Sequence, residues 1–420
     1  MNPTTIENHL KVVLFQWAVI IAVAWVMGRL ARKVGQPLAV GEIAGGLLLG
    51  PSVFGALWPE GMQWLFPAET QQSLQLLAKL GLIFLLFQVG MEFDFGYLAS
   101  RSRTVTAVSL AGIIAPMLGG LLIGPWLHRT FAPETPRLGF QLFICIALSI
   151  SALPIMGRIL LELKLERTAL GALAISAAAI DDVIGWILLA VATALVMSGF
   201  DGPKLAIQVA GVLLLFLVLM KLVGPFLRQL WRKWTTPEQP LPPSFLALLL
   251  LVLFACCLVA AKLGVFSIFG AFLLGVALHQ ETGLVRAWRE KFADFVLVAL
   301  VPIFFTNTGL RTEIGALQNS TAWLGCAAVM AVAVVGKLGG CWLGARLTGQ
   351  TNREAACVGA LMNTRALMGL VAINIGLELG LLTRELFTMF VIMALLTTVM
   401  CAPLLRWWLP VELRKLLPKD

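Results

Sequence analysis

Two adjacent aspartates, Asp181 and Asp182, lie near the middle of a long apolar stretch, residues 170–198, that contains no other charged residue. The stretch is long enough to cross a lipid bilayer, which takes about 20 apolar residues. An ionised carboxylate at membrane depth costs at least about 2.5 kcal/mol on insertion scales, so it is seldom found without a counter-charge, a bound cation or a proton. The pair therefore predicts an intramembrane site that handles cations or protons.

Four basic residues also fall inside apolar segments, and they differ in depth. Lys79 and Lys221 lie about two helical turns from a segment end, where a long side chain can reach the membrane interface. Lys337 and Arg365 lie deeper. Because burial and mutual repulsion disfavour two ionised carboxylates side by side, we expect one aspartate to pair with Lys337 and the other to exchange a proton for a monovalent cation. Lys337 is then either a fixed counter-ion or a second proton carrier.

Small residues flank this lysine at helical spacing. Gly336, Gly340 and Gly344 form a stripe on one side of the predicted helix. Such stripes allow close approach between membrane helices. The stripe predicts a close neighbour for the Lys337 helix, for example the helix that carries Asp181.

The composition indicates a membrane protein. Of the 420 residues, 59% are hydrophobic and 13% are charged, and the mean hydropathy is +0.92. A soluble domain has about 25% charged residues. The net charge of +9 comes from basic residues scattered in short loops, with no nucleic-acid-binding motif, so we expect no nucleic-acid partner. No residue pattern indicates an enzyme, and we expect neither enzymatic activity nor a cofactor.

Windows of about 20 apolar residues predict thirteen transmembrane helices. These windows are 11–31, 38–56, 73–93, 104–126, 138–161, 167–197, 203–226, 244–262, 265–280, 286–308, 321–347, 353–379 and 385–408. With the N-terminus outside, 20 of the 31 basic residues fall in cytoplasmic loops and 7 in external ones, as the positive-inside rule requires. We therefore expect an all-α, multi-pass protein of the cell inner (plasma) membrane, with residues 409–420 as a short cytoplasmic tail.

The fifth and twelfth segments are predicted to be broken in mid-membrane. The fifth contains residues 149–154, which include a proline that removes a backbone donor, and the twelfth contains the polar residues of 362–369. Their side chains are either ion ligands or structural groups that satisfy the helix ends. These accessory candidates are Ser149, Ser151, Asn363, Thr364 and Arg365.

The two breaks lie seven segments apart, so their helices run in opposite directions. This is the arrangement of an inverted repeat, which in transporters holds the ion site near the bilayer midplane. We therefore predict one membrane transport domain, 1–420, with repeat one at about 11–197, a linker helix at 203–226 and repeat two at about 244–408.

Six stretches carry a resemblance to a known family. They are VGQPLAVGEIAGGLLLGPSVFG (34–55), LGLIFLLFQVGMEFDF (80–95), ISAAAIDDVIGWILLAVATAL (175–195), VPIFFTNTGL (301–310), VVGKLGGCWLGARLTG (334–349) and GALMNTRALMGLVAINIGLELGLL (359–382). Through them nearly the whole chain resembles the second cation/proton antiporter superfamily, the sodium/hydrogen exchanger-like proteins with a Kef- or CHX-type membrane domain.

The resemblance implies a fold and a set of roles. It implies thirteen helices, two of them crossed and discontinuous, in a dimer-forming domain and a mobile core domain that exposes the ion site to each side in turn. Asp182 matches the position that binds cation and proton alternately, so it is the expected ligand of the transported Na⁺ or K⁺. Asp181 matches the position that pairs with a lysine, here Lys337. A homodimer in the lipid bilayer is the expected assembly.

These observations predict a secondary active antiporter that exchanges Na⁺ or K⁺ for protons by alternating access, with Asp182 binding the two competitively. Two alternatives of the same fold stay open: a channel-like potassium efflux protein, and a sodium-driven symporter of an organic anion. An anion carrier needs basic groups or helix N-termini around its pocket, and Arg365 alone is weak support for that. The acidic pair favours a cation.

Overall fold

The computed structural model of the chain describes residues 3–91, 102–165, 168–197, 201–235, 241–410 and 413. Within these ranges all regular structure is helical and there is no β-strand, which confirms the predicted all-α class. The predicted tail, 409–420, lies mostly outside the described residues.

The helices are numbered here in chain order. They are α1 Pro3–Lys33, α2 Leu38–Leu48, α3 Phe54–Leu57, α4 Pro59–Leu65, α5 Ala68–Met91, α6 Ser102–Phe131, α7 Arg137–Ser149, α8 Leu153–Glu162, α9 Ala169–Met197, α10 Gly202–Val218, α11 Gly224–Trp234, α12 Pro243–Lys262, α13 Ser267–Leu278, α14 Thr282–Trp288, α15 Val301–Leu310, α16 Ser320–Leu347, α17 Asn352–Met362, α18 Ala366–Glu378 and α19 Arg384–Trp408. Short π-helical segments extend three of them at Leu219–Val223, Arg289–Ala293 and Val296–Leu300.

The described helices match the predicted apolar segments. Within the described residues, nine helical spans are long and apolar enough to cross a membrane, two of them (137–161 and 202–234) made of two consecutive numbered helices; each of two further bent helix pairs would raise the count, to eleven at most. Two shorter apolar helices, α2 and α13, fall on the second and ninth segments. Helix α2 is shorter than predicted because Gly50 and Pro51 follow it, a sequence that ends helices. The chain is therefore a multi-pass membrane protein, and its count of thirteen crossings stays a prediction.

Packing divides the chain into two compact units. One unit comprises Met1–Ile21, Leu65–Asp94 and Ala190–Asn307, and the other comprises Ala22–Trp64, Phe95–Leu189 and Thr308–Asp420. The first unit has an aromatic centre in which Trp288 packs edge-to-face against Phe87, with ring centroids 4.8 Å apart. Every predicted site residue belongs to the second unit.

Helix α6 is the close neighbour of α16 in the second unit. A Cβ atom built on Gly340 would lie 2.5 Å from the carbonyl oxygen of Ala111, and one on Gly344 would lie 2.5 Å from that of Ala107. These distances are shorter than van der Waals contact, so the backbones approach as only glycine permits. The glycine stripe of α16 therefore faces α6, and not the helix that carries the acidic pair.

Alanine substitutions on α16 test this close packing. We expect Gly340→Ala to lower the free energy of unfolding by about 1–3 kcal/mol, because the added methyl group meets a backbone carbonyl. Gly339→Ala is the matched control, since its Cβ would meet no heavy atom within 4 Å. The midpoints of thermal unfolding in detergent should fall for Gly340→Ala alone. Equal midpoints for the two variants would contradict this packing.

Candidate functional site

The first helix break lies between α7 and α8. Helix α7 ends at Ser149, and α8 starts at Leu153 with Pro154 in its first turn. Proline is favoured at that position because its missing N–H would have no partner there and its φ angle is already helical. The residue before α8, Ala152, provides no side-chain cap. The N-terminus of α8 therefore has no hydrogen-bond acceptor from its own capping residue.

The second break lies between α17 and α18. Residues 363–365 separate the two helices, whose axes differ by 42°. The hydroxyl of Ser151, in the first break, donates a hydrogen bond of 2.9 Å to the carbonyl oxygen of Met362, at the end of α17. The two predicted breaks are thus both present and in direct contact.

The acidic pair and the buried lysine meet beside these breaks. Nζ of Lys337 donates to Oδ2 of Asp181 over 2.6 Å and to the carbonyl oxygen of Ser149 over 2.5 Å. Both side chains of the ion pair are 0% exposed. Charge-assisted hydrogen bonds of this length are the strong ones, and they offset part of the cost of desolvating both charges. Lys337 therefore links α16 both to α9 and to the end of α7.

Asp182 has a different environment from Asp181. Successive residues of a helix point about 100° apart, so the two carboxylates leave α9 in different directions. Asp182 is 3% exposed, and neither of its carboxylate oxygens has a hydrogen-bond partner among the described residues. The backbone amide of Leu153, the first residue of α8, lies near this carboxylate. The partial positive charge of a helix N-terminus favours an anion there.

This carboxylate fits a transported cation or a proton as its partner. A buried anion without a hydrogen-bond donor is costly, so a bound positive charge is the favourable way to complete the site. Asn363 shares this property, since it is 1% exposed and neither atom of its side-chain amide has a partner within the described part of the chain. Asp182 and Asn363 therefore both offer unused oxygens.

Arg365 contacts backbone carbonyls. Its two terminal nitrogens donate to the carbonyl oxygens of Leu148, on α7, and Ala333, on α16, the latter over 2.9 Å. Its side chain is fully buried, and none of the described carboxylates forms an ion pair with it. The guanidinium group thus satisfies one carbonyl at the end of α7 and one within α16.

The remaining hydroxyl candidates bond within their own chain segment. Oγ of Ser149 donates to Ile146 O over 2.9 Å, and Oγ1 of Thr364 donates to Leu361 O over 2.8 Å. Hydroxyl groups in membrane helices commonly donate to backbone carbonyls of their own segment in this way.

Sequence reasoning missed one residue of this site, Thr398 on α19. Its Oγ1 accepts hydrogen bonds from the backbone amides of Arg365, over 3.2 Å, and Ala366, over 3.1 Å. The sequence has a pair of threonines here, Thr397 and Thr398, in an apolar segment. That pair is a weak signal, because it does not tell which hydroxyl faces the break.

The chain is similar in sequence to known transport proteins over most of its length. Residues 18–409 match the family described as "Sodium/hydrogen exchanger, transmembrane". The Na(+)/H(+) antiporter NhaS4 of Synechocystis sp. is 36% identical over 400 residues, which cover 94% of this chain and 97% of that protein. Cation/H(+) antiporter 20 of Arabidopsis thaliana is 33% identical over 415 residues, which cover 96% of this chain but 49% of that protein. The chain thus spans about half the length of this plant relative.

A solved structure has the same fold. The sodium proton antiporter MjNhaP1 from Methanocaldococcus jannaschii superposes with a TM-score of 0.65 over 98% of this chain and 100% of that one. The sequence identity is 14%, so this likeness concerns the fold alone.

The buried ion pair generates a testable prediction. Lys337→Met leaves the charge of Asp181 buried without a partner, so we expect it to lower the free energy of unfolding by about 3–5 kcal/mol. The double variant Asp181→Asn with Lys337→Met removes both charges and should be more stable than Lys337→Met alone. Unfolding midpoints of the wild type, the two single variants and the double variant give the coupling energy.

The control for this cycle is Lys221→Met, which makes the same chemical change at an exposed lysine. It should change the free energy of unfolding by less than about 0.5 kcal/mol. Additive effects of the two single substitutions would show that Lys337 and Asp181 do not interact.

Proposed function

We propose that this chain, which belongs to the sodium/hydrogen exchanger transmembrane family, is a secondary active antiporter that exchanges a monovalent cation, Na⁺ or K⁺, for protons. Asp182 is the group that binds the cation and the proton in competition. One observation carries this proposal: Asp182 is a buried carboxylate without a hydrogen-bond partner in the described structure, while the adjacent Asp181 is neutralised by Lys337.

Competition for one carboxylate is sufficient to couple the two flows. With neither ligand, Asp182 carries a charge that Lys337 does not balance, because Lys337 is engaged by Asp181. Moving such a charge through a low-dielectric region is unfavourable. A bound proton or cation removes this penalty. The site therefore switches between its inward-open and outward-open states only when Asp182 holds a proton or a cation. Each crossing with a cation is followed by a return crossing with a proton, which makes the two flows opposite and coupled.

The oxygen ligands proposed for the cation come from α9 and the second break. The carboxylate of Asp182 and the side-chain carbonyl of Asn363 are hard oxygen donors, which suit both Na⁺ and K⁺. Selectivity between these ions depends on the number and spacing of the oxygens. Lys337 acts in this scheme as the counter-ion of Asp181, and loss of its proton on cation binding would add one proton to each cycle.

The proposed setting is the cell inner membrane, with the N-terminus outside and the C-terminus in the cytoplasm. The bias of basic residues between alternate loops supports this orientation. We further propose a homodimer, in line with the family resemblance.

The function is tested by transport in proteoliposomes. Purified protein is reconstituted with a trapped pH dye, and Na⁺, K⁺, Li⁺ or Rb⁺ is added in turn. We expect at least one cation to change the internal pH in the wild type, and Asp182→Asn to abolish the response because an amide cannot exchange a proton for a cation. Asp201→Asn is the control: this aspartate caps α10 outside the site, and asparagine caps equally well.

Three results would contradict the antiporter. An undiminished response in Asp182→Asn would remove Asp182 from the mechanism. A cation flux without a pH change would favour the channel. Uptake of an organic anion driven by sodium would favour the symporter.

Competition also predicts a pH dependence. Protons bound at Asp182 exclude the cation, so the apparent KM for the cation should rise as the pH falls, by up to about tenfold per pH unit. At high pH the KM should reach a plateau, because the carboxylate is then ionised throughout. Initial rates measured over a matrix of cation concentration and pH test this. A KM independent of pH, with only the maximal rate changing, would exclude a shared site.

A further inference from the structure

The N-terminus of α18 is capped by a side chain from another helix. Thr398, on α19, is fully buried. Its hydroxyl donates to the carbonyl oxygen of Ala394 over 2.8 Å and accepts from the amides of Arg365 and Ala366. One oxygen atom thus serves the amide of Arg365 just before α18, the first amide of α18 and one carbonyl of α19.

This cap is needed because the chain around α18 offers none of its own. The first amides of a helix lack intrahelical acceptors and are usually satisfied by the side chain of the N-cap residue. Here the N-cap is Arg365, which makes no side-chain cap. Its guanidinium group instead donates to the carbonyl oxygens of Leu148 and Ala333. Thr398 therefore supplies the acceptor that the local sequence lacks.

The N-termini of α8 and α18 therefore differ in how they are capped. The N-terminus of α8 has no side-chain cap and faces Asp182, whereas that of α18 is capped by Thr398. An uncapped N-terminus carries partial positive charge, which favours anions and repels cations. The hydroxyl of Thr398 lowers that positive charge at the second break.

We propose that Thr398 is a positioning residue for the cation site. It fixes the backbone at residues 365–366, and through it the break that carries Asn363 and the guanidinium of Arg365. It also keeps the amides of α18 from opposing the bound cation. This inference rests on the proposed antiport and adds a residue that acts on cation affinity without contacting the cation.

The neighbouring threonine provides a matched control. Thr397 is also buried, but its hydroxyl donates only to carbonyl oxygens of its own helix, Met393 over 2.8 Å and Ala394 over 3.2 Å. Replacing either threonine removes one buried hydroxyl from α19. Only replacement of Thr398 also leaves two buried amides without an acceptor, which is the costly event.

The test measures cation KM and kcat in proteoliposomes, together with the unfolding midpoint of each variant. We expect Thr398→Val and Thr398→Ala to raise the KM about tenfold while kcat changes less than about threefold. Thr398→Ser keeps the acceptor and should stay within about twofold of the wild type, as should Thr397→Val and Thr397→Ala. The alanine variants guard against a folding defect caused by the valine methyl group.

Several outcomes would overturn the inference. If the KM of the Thr398 variants equals that of the Thr397 variants, or if only the unfolding midpoints of the Thr398 variants fall, Thr398 is purely structural. Failure of both Thr398 variants to fold, with both Thr397 variants folded, leads to the same conclusion. A wild-type protein that shows no cation-driven pH change contradicts the proposed function itself, and the inference with it.

Discussion

Backbone polar groups inside a membrane have no water to bond, so each must find a partner within the protein. This chain breaks two helices in mid-span and thereby exposes four helix ends at one place. The contacts around the breaks are the response to that exposure. Side chains satisfy three of the four ends: Lys337 and Arg365 for α7, Ser151 and Thr364 for α17, and Thr398 for α18, while the N-terminus of α8 lies near Asp182.

Among the described side chains beside the breaks, Asp182 is the carboxylate without a basic partner, since Lys337 pairs with Asp181. The hydroxyls and the two basic groups are committed to carbonyls, amides or Asp181. The N-terminus of α8 lies near Asp182 and favours a negative charge there, but neither carboxylate oxygen has a hydrogen-bond partner among the described residues. The helix breaks therefore lie beside one buried carboxylate, that of Asp182, which has no hydrogen-bond partner among the described residues.

Lys337 and Arg365 are both buried cations, but their hydrogen-bond partners differ. The ammonium group of Lys337 is a compact charge that meets one carboxylate oxygen and one carbonyl oxygen. The guanidinium group of Arg365 is a planar fork, so it reaches carbonyl oxygens on two different helices. The glycine stripe of α16 packs against α6 and leaves the adjacent face, which carries Lys337, directed at the ion pair. Close packing and charge pairing thus use different faces of one helix.

The amino-acid sequence was enough to predict the all-α class, the apolar segments and the positions of both breaks. These follow from local composition, because segment length, proline and mid-span polarity act within one stretch of chain. The folded structure was needed to show that Arg365 donates to backbone carbonyls, that the glycine stripe faces α6, and that Thr398 rather than Thr397 caps α18. Each of these depends on how helices from distant parts of the chain are rotated and shifted against one another, and a difference of one residue, about 100° around a helix, changes the partner.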